Sequence, residues 1–231
     1  MSDRLIIERW GENSAPWIRA VREGRIESRA LVTDTAIIET IMQRDPATVL
    51  DIGCGEGWLA RALTARGVDV LGIDVIPSLV ESARAAGGGR FAKISQEEFA
   101  DGAVSECFDV CVCNFSLFGD EVVRRLMARM SVSLKPGGAF IAQTMHPCAS
   151  GGGVDYRDGW REGTWAGIDV EFSDPAPWYF RTLQAWVSLC GDTGLRIVAL
   201  QETIHPETRQ LLSLIIVGEP ERASTHPNSA S

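Results

Sequence analysis

The 231-residue chain is 45% hydrophobic, has a formal net charge of -9 and a sequence pI of about 4.9. That length and apolar share suit one compact domain with a full core. The acidic balance argues against nucleic acid as a substrate, because a phosphate-backbone binder presents basic groups. No apolar stretch approaches the roughly 20 residues of a membrane helix, so no membrane partner is expected.

Residues 5–43 read as helical. Trp17, Ile18, Val21 and Arg22 are spaced for one face, and Thr33 or Asp34 is placed to cap a helix through Ile37, Ile38, Ile41 and Met42. The opening residues Ser2-Asp3-Arg4 lead into an apolar piece broken at once by Glu8 and Arg9, so no signal peptide is expected. Strands are expected at Thr48–Asp51 and Val70–Asp74, with a helix between them that carries Trp58, Leu59, Ala62 and Leu63. A helix opened by Pro77 runs to Gly87-Gly88-Gly89, and a short strand follows near Phe91–Ile94.

The run Phe108–Asn114 is dense enough in apolar residues to be a strand buried on both faces. An amphipathic helix over 121–134, a turn at Lys135-Pro136-Gly137-Gly138 and a strand over Ala139–Met145 come next. Residues 148–180 show no clean period and are rich in Trp, Tyr, Phe and Gly, as in functional or mobile segments. A helix over Thr182–Leu189 and two strands, Arg196–Gln201 and Leu211–Val217, complete the pattern, and 219–231 is expected to be a disordered tail.

Alternating helices and strands predict an α/β fold: a Rossmann-like, doubly wound, mostly parallel sheet of about seven strands, with helices on both faces and a C-terminal antiparallel hairpin. One domain over 1–218 is expected, with a helical cap at 1–44, a cofactor-binding core at 45–145, a lid or acceptor insertion at 146–181, and the last helix and strand pair at 182–218.

The six cysteines (Cys54, Cys107, Cys111, Cys113, Cys148 and Cys190) form no C-x-x-C pair, and His146, His205 and His226 are not spaced with them as zinc ligands. Reduced thiols, a cytoplasmic location and no metal are expected.

The run Asp51-Ile52-Gly53-Cys54-Gly55-Glu56-Gly57 puts a glycine turn after the first strand, and Asp74 ends the second. This is a nucleoside-binding arrangement. Gly55-Glu56-Gly57-Trp58-Leu59-Ala60 also satisfies the dinucleotide pattern, with Asp74 19 residues beyond Gly55. A pyrophosphate would sit at the helix N-terminus. Asp51 and Glu56 would repel it there and would suit a cationic ligand.

With Gly72-Ile73-Asp74, Phe108-Asp109-Val110 and Leu134-Lys135-Pro136-Gly137-Gly138, that run resembles the ordered motifs of class I S-adenosylmethionine-dependent methyltransferases, and Met145-His146-Pro147, Gly159-Trp160-Arg161 and Pro177-Trp178-Tyr179-Phe180-Arg181-Thr182-Leu183 resemble a bacterial small-molecule subgroup of them. The resemblance covers about 45–145 and extends to about 217 through the last strands. It implies S-adenosyl-L-methionine as cofactor, with S-adenosyl-L-homocysteine as product. It places Asp51, Gly53 and Gly55 along the methionine moiety with Cys54 in the turn, Asp74 on the ribose hydroxyls, and Val75 or Ile76 on the adenine. Ser95 or Gln96 stands where the family often has an acid for the adenine amino group, and Asn114, Phe115 and Ser116 face the sulfonium. Arg29 is a candidate partner for the cofactor carboxylate.

After the fourth strand the sequence is Asn114-Phe115-Ser116-Leu117, without the proline pair of DNA amino-methyltransferases, so a small-molecule acceptor is expected. Trp17, Tyr156, Trp160, Tyr179 and Arg181 are candidate acceptor contacts. His146, at the end of a strand and expected to point into the acceptor space, is a candidate general base or a structural histidine. The alternatives are a nicotinamide-dependent oxidoreductase, disfavoured by the absence of a Tyr-x-x-x-Lys pair, and a non-catalytic S-adenosylmethionine-binding protein. The sequence assigns no acceptor, methylated atom, pathway or oligomeric state.

Overall fold

The computed structural model describes residues 3–150, 155–168 and 170–221. Nine strands occur among them: β1 (Thr48–Ile52), β2 (Asp69–Asp74), β3 (Arg90–Lys93), β4 (Phe108–Asn114), β5 (Leu134–Met145), β6 (Gly159–Arg161), β7 (Trp178–Phe180), β8 (Leu195–Ile204) and β9 (Leu211–Pro220). The helices are α1 (Asp3–Glu12), α2 (Ser14–Arg22), α3 (Asp34–Met42), α4 (Trp58–Thr64), α5 (Pro77–Ala86), α6 (Gln96–Ala100), α7 (Glu121–Ala128), α8 (Met130–Ser133), α9 (Pro147–Ser150) and α10 (Leu183–Asp192). A π-helical turn, Arg29–Thr33, runs directly into α3.

Seven strands form one sheet in the order β3-β2-β1-β4-β5-β9-β8. β1 to β5 are parallel, and β9 inserts antiparallel between β5 and β8. The strand order reverses between β1 and β4, where ligands of open α/β sheets bind at the carboxyl ends. Each face of the sheet is covered. Val49, Val110, Val112, Ala139, Ile141 and Ile215 pack with α3, α4 and α5, whereas Leu50, Ile52, Cys111, Cys113, Phe140 and Leu214 pack with α7 and α10. This alternation is why the β4 sequence is continuously apolar.

Several boundaries differ from the sequence expectation. The π-turn and α3 run on without a break, so neither Thr33 nor Asp34 makes a side-chain cap. The helix expected over 121–134 divides at Arg129 into α7 and α8. Lys135–Gly138 is an excursion within β5: Phe108 pairs with Leu134 and Val110 with Ala139, with Gly137 at φ 83° in between.

The expected tail begins too early. Glu219 and Pro220 extend β9, where Glu219 pairs with Arg44 at 2.6 Å and Arg196 at 2.8 Å. Residues 222–231, and with them most of the expected tail, lie outside the described residues, as does Gly151-Gly152-Gly153. The aperiodic insertion contains the two-stranded β6–β7 ribbon, separate from the main sheet.

Candidate active site

The turn after β1 is built from backbone. Gly53, Gly55 and Gly57 adopt φ of 79°, 56° and 85°, a region that L side chains rarely enter. The N–H groups of Gly53 and Cys54 donate to the Ile73 carbonyl, and that of Gly55 to Asp74 Oδ2 at 2.9 Å. A Cβ on Gly53 would lie 2.4 Å from Ser116 Cβ, so the loop after β4 rests against the turn. Ser116 fixes that contact by donating to the Ile52 carbonyl at 2.6 Å. Its neighbour Phe115 is held at φ 50°, a strained conformation for a bulky residue.

By strand alternation, Asp51, Asn114, Gln143 and Ser213 continue the α3/α4 face, so its apolar stripe turns polar at the carboxyl ends. Asp51 Oδ2, Asn114 Oδ1 and Gln143 Oε1 are buried there with no hydrogen-bond donor among the described residues, as is Thr33 Oγ1 from the π-turn. The Gln143 amide nitrogen donates to the Thr33 carbonyl at 3.3 Å and to Ser213 Oγ at 2.8 Å, which fixes its free end as the oxygen. Burial, and then the charge of Asp74, raises the Asp51 carboxyl to about 7.

A family model described as a methyltransferase domain matches residues 49–138. The ubiquinone biosynthesis O-methyltransferase of Rickettsia canadensis is 30% identical over 100 residues, 42% of this chain and 42% of that protein. An uncharacterised methyltransferase of Schizosaccharomyces pombe is 26% identical over 74% of this chain and 67% of its own length. The solved magnesium protoporphyrin IX methyltransferase of Synechocystis, with bound S-adenosylhomocysteine, superposes with a TM-score of 0.67 at 18% identity, covering 95% of this chain and 100% of that one. Residues 49–138 thus match a methyltransferase domain, and the fold is that of solved S-adenosylmethionine-dependent methyltransferases. The chain's match spans less than half the length of the first relative.

In this methyltransferase domain the two acids of the motif divide their roles. Asp74 accepts Gly55 N–H on one oxygen and Ile76 N–H on the other, both at 2.9 Å, so it shapes the turn as well as facing the site. Glu56 corrects the electrostatic expectation. Its carboxylate is fully buried and neutralised by Arg22 at 2.8 Å and by Arg61. Asp51 and Asp74 have no such basic partner among the described residues. Cys54 is buried in the turn, and burial pushes its thiol well above the ordinary range.

Ser95 and Gln96, expected in a loop, form the start of α6. Ser95 Oγ accepts Glu98 N–H while Glu98 takes the Ser95 N–H in return, a capping box, and Gln96 donates to the Ser116 carbonyl at 2.8 Å. Val75 is half-buried beside the buried Ile76. Arg29 is buried, paired with Asp34 at 2.9 Å, and its guanidinium lies 4.6 Å from the Trp58 ring centroid and 6.0 Å from that of Trp17. Asp109, part of the recognised motifs, is at the opposite end of the sheet, where it accepts from Thr48, Ala47 and Lys135.

A cover closes over the carboxyl ends from two separate parts of the chain. Asn13, fully buried, donates to the Arg9 and Asp174 carbonyls and accepts Ser173 N–H at 2.8 Å. Trp10 packs edge-on against Trp17 and Trp165 and stacks on Phe118, with ring centroids 5.0, 5.5 and 5.6 Å away. The sequence pattern did not single out Asn13, Thr33 or Gln143 as site residues. A polar residue at the core-facing parity of an apolar strand was the signal available for Gln143.

The other candidate residues gather around the β6–β7 ribbon. Tyr179 N–H donates to the Phe118 carbonyl at 2.8 Å, joining the ribbon to the β4 loop. Trp160 lies edge-on to Tyr179. Tyr156 is half exposed, and its hydroxyl accepts Leu183 N–H. Arg181 is buried, under Tyr179 and against Trp186, and donates to the Gly119 and Asp120 carbonyls and to Asp120 Oδ1.

His146 does not stand open to the acceptor space. It is 1% exposed; Nδ1 accepts Cys148 N–H, which puts the proton on Nε2 for Glu202 at 2.8 Å. Among the described residues, no group of three or more His, Cys, Asp or Glu side chains is arranged to hold a metal ion.

Proposed function

We propose that this chain is an S-adenosylmethionine-dependent methyltransferase acting on a small-molecule acceptor in the cytoplasm, as a single domain over 1–218. The observation that carries the cofactor is the row of buried oxygens without donors: Asp51 Oδ2, Asn114 Oδ1 and Gln143 Oε1. Amide oxygens and ionised carboxylates only accept, and each unmet buried group costs about 1–3 kcal/mol. A ligand with an ammonium supplies the missing donors. A pyrophosphate would add more acceptors, which disfavours a dinucleotide.

When bound, the cofactor supplies a methyl group on a sulfonium, whose departure as a neutral thioether needs no acid. Asp51, Gly53, Gly55 and Asn114 would hold its methionine end, with Cys54, Phe115 and Ser116 shaping the walls. Asp74 would take the ribose through the lone pairs its backbone contacts leave, with Val75 beside the adenine and Ser95 and Gln96 at its rim. Arg29 would face the carboxylate. The cover excludes water and aligns the nucleophile.

The acceptor would enter through an open polar groove of about 440 Å³ beside α7 and α10. Tyr179 and Arg181 line this groove and also a closed chamber of about 10 Å³ next to Phe115 and Phe118. So small a chamber admits a planar ring only if its lining side chains move. Trp17, Tyr156 and Trp160 would border the path. The acidic pI supports a small molecule over nucleic acid, as do relatives named for 1,6-didemethyltoxoflavin and magnesium protoporphyrin IX. His146, with both ring nitrogens engaged, is better suited to holding the insertion than to serving as base.

Calorimetry with S-adenosylmethionine, S-adenosylhomocysteine and NAD tests the assignment. Binding of both sulfur nucleosides, with turnover in a labelled-methyl screen of small molecules, is the expected result. Tight binding of NAD alone would overturn it.

A further inference from the structure

Glu56 is a motif residue beside the glycine turn whose chemistry the proposed methyl transfer does not use. Its carboxylate is fully enclosed and bonded on both oxygens. Arg61, one turn on in α4, takes Oε1 and also donates to the Glu56 carbonyl at 2.7 Å. Arg22, at the end of α2, takes Oε2 at 2.8 Å while its side chain stays 44% exposed. The same guanidinium donates to Ser82 Oγ at 2.9 Å and to the Ser82 carbonyl at 3.2 Å. At the other end of α2, Ser78 and Ser14 share a hydroxyl bond of 2.8 Å. Thus α2 lies along α5, fastened at both ends. It carries Trp17, whose Nε1 is 3.8 Å from where a Cβ on Gly55 would be.

The two halves of this arrangement are unequal. The Glu56–Arg61 half lies within one short stretch of chain and involves no atom of α2. A buried carboxylate needs such a permanent partner. The Arg22 half joins segments 34 residues apart and is open to water, so it can release without stranding the Glu56 charge.

We propose that Arg22 and Glu56 are positioning residues that latch α2, and with it Trp17, over the cofactor bound at the glycine turn. The latch sets how long the cofactor stays. This rests on the turn binding S-adenosylmethionine or its product, as argued above.

The test measures S-adenosylhomocysteine dissociation by stopped-flow tryptophan fluorescence in the full chain. Arg22→Ala should release the ligand about 10-fold faster, the effect of losing a half-buried ion pair with its added hydrogen bonds. The association rate should be nearly unchanged. Ser82→Ala, which removes a single bond, should accelerate release about 2-fold. Salt provides a readout that general destabilisation would not mimic: release from the wild type should quicken between low and high NaCl, while release from Arg22→Ala stays flat. Equal release from wild type and both variants, or the same salt response in wild type and Arg22→Ala, overturns the latch. Failure of the wild type to bind S-adenosylhomocysteine at all would instead overturn the cofactor assignment.

Discussion

The glycine turn and the cover lie against each other but are held in different ways. The turn is fixed by bonds between neighbouring strands: Gly53 and Cys54 to Ile73, Gly55 to Asp74, Ser116 to Ile52. The cover is fixed by contacts between residues far apart in sequence, such as Asn13 with Ser173 and Asp174, Trp10 with Trp165 and Arg22 with Glu56. A rigid base under a separately fastened lid is the arrangement expected where a ligand must enter and then be shielded from water.

Changes in the base should have the largest effects. Gly53→Ala places a Cβ 2.4 Å from Ser116 Cβ at a φ of 79°. It should cost ~2–4 kcal/mol of stability and abolish S-adenosylhomocysteine binding, as read by thermal denaturation and calorimetry. An alanine variant that binds normally would show that the β4 loop does not rest on the turn.

Asp51→Asn should weaken S-adenosylmethionine binding about 10- to 100-fold. It should also remove a pH dependence. The Asp51 carboxyl is raised from 3.8 to about 7, so in the ligand-free protein its protonated form predominates below that pH. That contribution to stability is fully present below the unfolded value and is lost as pH rises through about 7. A cationic ligand prefers the ionised form. Wild-type affinity should therefore climb from pH 6 to pH 8 and level off above, with proton release on binding, and the Asn variant should show neither.

In the cover, Asn13→Ala removes the shared clasp of α1–α2 and the insertion. It should destabilise by ~1–3 kcal/mol and raise hydrogen exchange in residues 3–33 and 155–180, leaving β1, β2 and β4 protected. Equal loosening of both regions would abolish the contrast between base and lid. The smallest change is expected from His146→Gln, whose amide can replace the Glu202 bond. Its kcat should fall by less than about 3-fold, with no loss of the pH profile. A loss of 100-fold or more would return the base role to His146.

The base was legible because its signals are local. Glycines mark left-handed turns, and apolar runs ending in Asp51 and Asp74 mark strand ends, all within about 25 residues. The same reading misplaced Glu56, since charge type can be read from a sequence but charge direction cannot. The buried pairing with Arg22 and Arg61 became visible only in three dimensions. At His146 the strand-end position was correct, but the Glu202 carboxylate and the Cys148 N–H that engage its ring were not foreseeable. The early start assigned to the tail came from treating Glu219 and Pro220 as solvent-seeking. Arg44 and Arg196, distant in sequence, give Glu219 partners and extend the strand.

The sequence by itself determined the strand-and-helix alternation, the glycine turn, the nucleoside-binding class of the site and the two segments that cover it. These follow from short-range sterics and periodicity. Only the tertiary structure decided which acid is paired with arginines, which polar atoms lack donors, and how α2 is fastened along α5. Those depend on burial and on partners brought together across 34 to 161 residues of chain, and no local pattern encodes such distances.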